Sequence, residues 1–143
     1  MLELLVCKIG DLKVGIENNK IMEIVERRSI TELPVKSKVL KGIFNLRGNI
    51  IPFFDISGVF INTPLKENFN YFIIIESEKK KRGGIGIHEI VESMKVQEIN
   101  SKIAPGKVRE EIEKNFLKGV IGKKNDLIFV LDVDNLIEKE EVI

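Results

Sequence analysis

Cys7 and His88 are each the sole residue of their type in the chain, so neither an internal disulfide nor a metal site built from several Cys and His ligands can be assembled. Cys7 follows Leu4-Leu5-Val6, the setting of a small buried hydrophobe rather than of an activated thiolate. Arg82-Gly83-Gly84-Ile85-Gly86 has the glycines of a phosphate loop but lacks its spacing and its Lys-Ser/Thr pair. It reads as the start of a strand after the hairpin tip Glu78-Lys79-Lys80-Lys81-Arg82, whose basic run is expected to be a solvated turn. No Ser has neighbours that would activate it as a nucleophile. The chemistry-bearing residues therefore predict no enzyme, no cofactor and no metal.

The remaining candidate is one guanidinium. The stretch Lys41–Ile56 reads KGIFNLRGNIIPFFDI, two apolar runs around a small polar knot that holds Arg47. Gly48 suits the turn, and both flanking runs, including Ile50–Phe54, read as buried strands. Arg47 needs an anion, which a carboxylate supplies in a geometry of two parallel hydrogen bonds. Glu23, in Ile21-Met22-Glu23-Ile24-Val25, is the best candidate.

The elements that must position this pair are strands. Leu4–Ile9, Ile50–Phe54, Tyr71–Ile75 and Leu127–Leu131 are short, rich in Ile, Val and Phe, and bounded by turn-forming residues. Asp11–Glu17 alternates with period 2, a strand with one wet face. Helical spacing is confined to Val108–Phe116 and the last dozen residues. An internal echo runs through the chain. Lys41-Gly42-Ile43-Phe44 recurs as Lys118-Gly119-Val120-Ile121, and Ile50–Ile56 lies against Leu127–Val133, 77 positions on. Upstream, Val14-Gly15-Ile16 is matched to Ile85-Gly86-Ile87 and Glu23-Ile24-Val25-Glu26 to Glu89-Ile90-Val91-Glu92, at offsets of 71 and 66. A half with about five strands suits a small closed barrel, which leaves no edge exposed. Asp55 and Asp132 each end a strand before a helical turn, where a carboxylate caps free N–H groups.

The repeats differ at the turn. Asn45-Leu46-Arg47-Gly48-Asn49 lies opposite Gly122-Lys123-Lys124-Asn125-Asp126, an ordinary polar tip in which Asn125 suits positive φ. A duplicated frame with one specialised turn points to function at Asn45, Leu46 and Arg47.

Composition limits the partners. Lys and Arg total 23 against 22 Asp and Glu, a formal charge of +1. Neither a nucleic acid nor an anionic membrane has an electrostatic reason to bind. No apolar run approaches spanning length and no leader pattern opens the chain, so a cytoplasmic protein without membrane insertion is expected.

At this point the stretch Gly42–Ile56 resembles the signature of the CheW-type chemotaxis coupling proteins, Gly-Val-x-Asn-Leu-Arg-Gly-x-Ile-x-Pro-Val-x-Asp-Leu. Ile21-Met22-Glu23-Ile24 is similar to the family's Val-x-Glu-Ile, Ile30-Thr31-Glu32-Leu33-Pro34 to its Ile-Thr-x-Leu-Pro, and Gly119-Val120 with Leu127–Asp132 to its second half. The resemblance implies one domain over 1–143, mostly β. It would hold two SH3-like five-stranded barrels packed together, about 12–67 and 71–132, with terminal segments completing them and short helices including one at the C-terminus. It implies an adaptor that links the cytoplasmic tips of chemoreceptors to the regulatory domain of the histidine kinase CheA, recruited to membrane-associated receptor arrays. By matching, Arg47 and Glu23 would be the groove pair, with Ile21, Ile24, Ile43 and Asn45 lining the receptor-facing groove. One departure stands out: Ile87-His88-Glu89-Ile90 replaces the family's Val-Asp-x-Val, and His88 is read as structural or solvent-facing. The alternative is a small-barrel module for single-stranded nucleic acid, which would require a basic groove.

Overall fold

The computed structural model describes residues 1–34, 37, 39–60, 68–101, 116–123 and 126–139. Strands β1 (Leu2–Ile9) and β2 (Leu12–Glu17) form a hairpin around Gly10-Asp11, with Gly10 at φ 61°. A short 3-10 turn, Asn18–Lys20, leads into β3 (Ile21–Glu26), followed by β4 (Thr31–Glu32), β5 (Leu40–Leu46) and β6 (Asn49–Phe54). The second repeat supplies β7 (Tyr71–Glu76), β8 (Arg82–Ile87), β9 (Glu89–Val96), β10 (Leu117–Lys123) and β11 (Asp126–Leu131), then helix α1 (Val133–Lys139). The expected C-terminal helix is present in α1, whereas the helical spacing over Val108–Phe116 lies, except for Phe116, outside the described residues.

Two sheets result, ordered β3-β7-β8-β6-β5-β4 and β10-β11-β2-β1-β9. Strands β3 and β4 are successive parts of one bent segment. β3 pairs with β7 at one edge of the first sheet and β4 with β5 at the other, so the segment closes a five-stranded barrel. In the second sheet β9 pairs with β1 and, four residues beyond its end, Asn100 bridges to Val120 of β10. The fold is thus mostly β, with two SH3-like barrels.

Strand pairing groups the chain differently from the stretches 12–67 and 71–132. Strand β2 belongs to the second barrel, and β7 and β8 belong to the first. Each repeat supplies five strands in the same order, but its first hairpin is handed to the barrel of the other repeat. The inter-repeat contacts are antiparallel for β1–β9 and β3–β7 and parallel for β11–β2 and β6–β8.

The ladders also correct the upstream offsets. β3 is bulged at Met22, between Ile21 and Glu23, and β9 is bulged at Val91, between Ile90 and Glu92. Superposing the bulges places Glu92 on Glu23, an offset of 69, and the parallel pairs Val130–Gly15 and Phe53–Gly84 give the same offset for β2 and β8. The error of two for β2 and β8 keeps their alternation in phase, whereas the error of three for β3 and β9 comes from aligning two Glu-Ile-Val-Glu runs that the bulges place at different points.

The matched glycines have a steric cause. A Cβ at Gly42 would overlap the Thr31 carbonyl oxygen, and one at Gly119 the Asn100 carbonyl oxygen. Both glycines lie where the closing segment crosses a bulged strand. In β8 the run Gly83-Gly84-Ile85-Gly86 is buried, and the rings of Phe54, Phe44 and Phe69 occupy the space where side chains would sit. The rings of Phe44 and Phe69 belong to one cluster with Phe53 and Phe72, Phe72 being centred 5.0 Å from Phe44 and 4.8 Å from Phe53, and Phe53 5.7 Å from Phe69. The main core runs through both barrels, from Cys7 and Ile16 to Ile85 and Leu136, and Phe60 meets Phe129 edge-on at 4.8 Å. Leu4, Val96 and Val130 form a smaller cluster within the second barrel. Burial pushes the Cys7 thiol up to about 12, which leaves it inert at neutral pH.

Candidate functional site

Asp55 and Asp132 close the two equivalent strands as caps. Asp55 Oδ1 accepts from Ser57 N at 3.0 Å and from Ser57 Oγ at 2.6 Å. Asp132 Oδ1 accepts from Asn135 N at 3.0 Å at the start of α1. The backbone repeats the relation, since Asp55 N donates to Val39 O and Asp132 N to Phe116 O, both at 2.8 Å. With one oxygen each engaged in capping, these carboxylates hold strand ends in place.

The β5–β6 hairpin turns on two residues, Arg47 at φ 49° and Gly48 at φ 88°. Two successive positive φ values match the right-handed twist of the flanking strands. Asn45 Oδ1 accepts from Gly48 N at 2.9 Å and braces the turn. A non-glycine residue in this conformation costs about 1 kcal/mol, so the arginine here runs against a backbone preference for Gly or Asn. The Arg47 guanidinium pairs with the Glu23 carboxylate. The pair joins the β5–β6 turn to the bulged strand β3. Its stabilisation is small because the Arg47 side chain is 62% exposed. The comparable turn of the second repeat includes Lys124 and Asn125, outside the described residues.

The other lining residues separate by face. Ile43 and Asn45 share the outward face of β5, while Phe44 and Leu46 point into the core. Ile24 is 40% exposed, whereas Ile21 is half-buried and packs against the main core. Ile50 joins this surface, and Met22 is exposed beside Glu23 on β3. Ile50 stands opposite Asn45 and is 61% exposed, and Met22, lifted out by the bulge, is 46% exposed. The run Ile50–Phe54 is therefore not uniformly buried. Ile50 and Pro52 share the outward face with Asn45 and Ile43, and Ile51 and Phe53 face the core. That alternation is visible once Pro52 is taken as an outward residue.

Away from this surface, the four basic side chains of the tip share two carboxylates of the same molecule. Lys79 and Lys81 lie 3.7 and 3.8 Å from Glu138, and Lys80 and Arg82 lie 3.7 and 3.1 Å from Glu76. Asp134 of α1 accepts from Glu78 N at 2.8 Å and pairs with Lys20 at 3.0 Å. Burial works against the Asp134 charge but is outweighed by the Glu78 N–H and Lys20, so its pKa falls below the ordinary 3.8. His88 sits where the chain crosses from the first barrel to the second. Its N donates to Lys8 O at 2.9 Å, its Nδ1 accepts from Gly10 N at 2.9 Å, and its carbonyl accepts from the Asn70 amide at 2.8 Å. Its ring lies 4.9 Å from that of Phe69. It is a strut at the crossing. Among the described residues no group of three or more His, Cys, Asp or Glu could hold a metal ion, and no helix is long and apolar enough to cross a membrane.

A pair of interlocked barrels with an outward apolar face and one braced guanidinium defines a binding module. The family model of the CheW-like domain matches residues 3–141, and the chain belongs to that family of chemotaxis scaffolds. It is 27% identical to a chemotaxis protein CheW of Helicobacter pylori over 133 residues, 92% of this chain and 79% of that protein. It is likewise 27% identical to the CheW of Treponema pallidum over 145 aligned positions, 98% and 84% of the two chains. Among solved structures, the scaffolding protein TtCheW from Thermoanaerobacter tengcongensis is similar in fold, with a TM-score of 0.71 at 21% identity, covering 92% of this chain and 84% of that one.

Proposed function

We propose that this chain is a non-enzymatic adaptor that holds the cytoplasmic tips of chemoreceptors together with the histidine kinase CheA, in receptor arrays at the membrane. The carrying observation is the Arg47–Glu23 pair at the open turn of the first barrel, flanked by exposed Ile24, Met22 and Ile50. Membership of the family supplies the context. A receptor tip is helical, and an amphipathic helix laid on an apolar face with a charge to fix its register is a common recognition mode. In this reading Ile24, Ile43, Asn45, Ile50 and Met22 supply contact area, and Ile21 supports the rim from within. Arg47 fixes register, held in place by Glu23. Affinity per site would be modest and assembly in arrays would raise it through avidity.

Co-purification from cells tests the reading. The parent protein should recover receptor and kinase together, and Arg47→Ala should lose the receptor while its circular dichroism is unchanged. Recovery of both partners by the variant would remove the groove from the account. A formal charge of only +1, with the Lys79–Arg82 tip already sharing Glu76 and Glu138, counts against the nucleic-acid alternative, which needs a strongly basic groove.

A further inference from the structure

The exchange of hairpins between repeats means that each barrel is completed by a piece of chain from elsewhere. The hairpin β1–β2 enters a slot formed entirely by the second repeat, with β9 on one side and β11 on the other. It contributes Leu4, Val6, Cys7, Ile9, Val14 and Ile16 to the interior. Two ion pairs address it to that slot, Lys13 to Asp126 at 2.8 Å and Glu17 to Lys118 at 3.1 Å. Glu17 is nearly buried. The hairpin is joined to the rest of its chain by Asn18–Lys20, a single 3-10 turn with no buried residue and no side-chain cap on its N-terminal side.

We propose that the protein has a second assembly state, a dimer of this chain with itself. In it the hairpin Leu2–Glu17 of each copy completes the second barrel of the other. Such a dimer needs no contact that the monomer lacks, because strand registers, core side chains and both ion pairs are already those of an inserted segment. Only Asn18–Lys20 changes, from a tight turn to an extended linker. Exchange of an identical element between protomers is a low-cost route to dimers, and shortening a hinge until its closed turn is strained favours it further. Lys20, held by Asp134 at 3.0 Å, fastens the hinge in the closed state.

The test uses the full chain carrying Cys7→Ala, Glu3→Cys and Lys95→Cys. Glu3 and Lys95 face one another across β1 and β9 and are both exposed, so a disulfide between them reports whose hairpin fills each slot. The protein is refolded from denaturant over a range of concentrations, oxidised, and separated by size and by non-reducing electrophoresis. The proposal expects a disulfide-linked dimer whose ratio to monomer rises about tenfold per tenfold increase in concentration while monomer predominates, as mass action requires. Monomer alone at every concentration would overturn it. A dimer by size whose disulfides are all intramolecular would overturn it equally, since that species associates by its surface. Deleting Asn18 and Asn19 from the same chain should shift the product further to the linked dimer. If that variant does not fold, the parent hinge still decides.

Discussion

Arg47 holds a left-handed backbone at φ 49° while its guanidinium reaches Glu23 on the bulged strand β3. The position therefore separates stability from recognition. Glycine relieves the backbone but removes the charge, whereas alanine removes the charge and keeps the strain. Arg47→Gly is expected to be more stable than Arg47→Ala by about 1 kcal/mol, measured by urea denaturation. Both should bind receptor tips poorly. Equal stability of the two variants would contradict the assigned turn conformation.

Asp134 and Lys20 give a pH dependence with a definite sign. The Asp134 pKa is lowered in the folded protein, so its charge stabilises the fold above the ordinary 3.8 and the benefit is lost as pH falls through the lower folded value. Asp134→Asn keeps an acceptor for Glu78 N while removing the charge. It is expected to cost about 1 kcal/mol at pH 7, and the difference from the parent should shrink as pH is taken from 7 to below the ordinary 3.8. Thermal denaturation at both pH values checks this, and a cost that persists undiminished in acid would show that the charge is not the cause.

Gly42 and Gly119 are predicted to be the least replaceable of the matched repeat positions. The atoms in the way are the backbone carbonyls of Thr31 and Asn100, which cannot swing aside as a side chain can. Alanine at either position should cost about 2–4 kcal/mol. Gly48, with open space above it, would lose only turn preference at φ 88°, about 1 kcal/mol. Chemical denaturation of the three variants gives the order directly.

Ile50 is the most exposed large apolar residue near Arg47, at 61%. Ile50→Ser should leave stability within about 0.5 kcal/mol and weaken receptor-tip binding several-fold. Unchanged affinity would exclude it from the contact surface.

Much of this was legible in local pattern. Alternation and turn residues located the strands, and the echo Lys41–Ile56 against Lys118–Val133 survives in the structure with its bulges, caps and crowded glycines intact. The pairing of Arg47 with Glu23 was readable because an exposed guanidinium in an apolar setting needs an anion. Three things were not legible. Ile50–Phe54 is a half-exposed strand whose apolar outward residues hid the alternation. An offset of 71 stood in for 69 because strand patterns tolerate a shift of two, and 66 did so because the bulges at Met22 and Val91 leave no mark in the local sequence. The destination of each first hairpin is set by β1–β9 and β2–β11 contacts between distant segments, which no local window contains.

The most direct test of the central claim is a binding titration of Arg47→Glu against the parent, with a purified receptor-tip fragment and with CheA separately, after circular dichroism has established equal folding. Charge reversal at a register-fixing contact should lower receptor-tip affinity by about tenfold or more and leave CheA affinity unchanged. Receptor-tip affinity equal to that of the parent would contradict the claim that Arg47, braced by Glu23, is the recognition group of this scaffold.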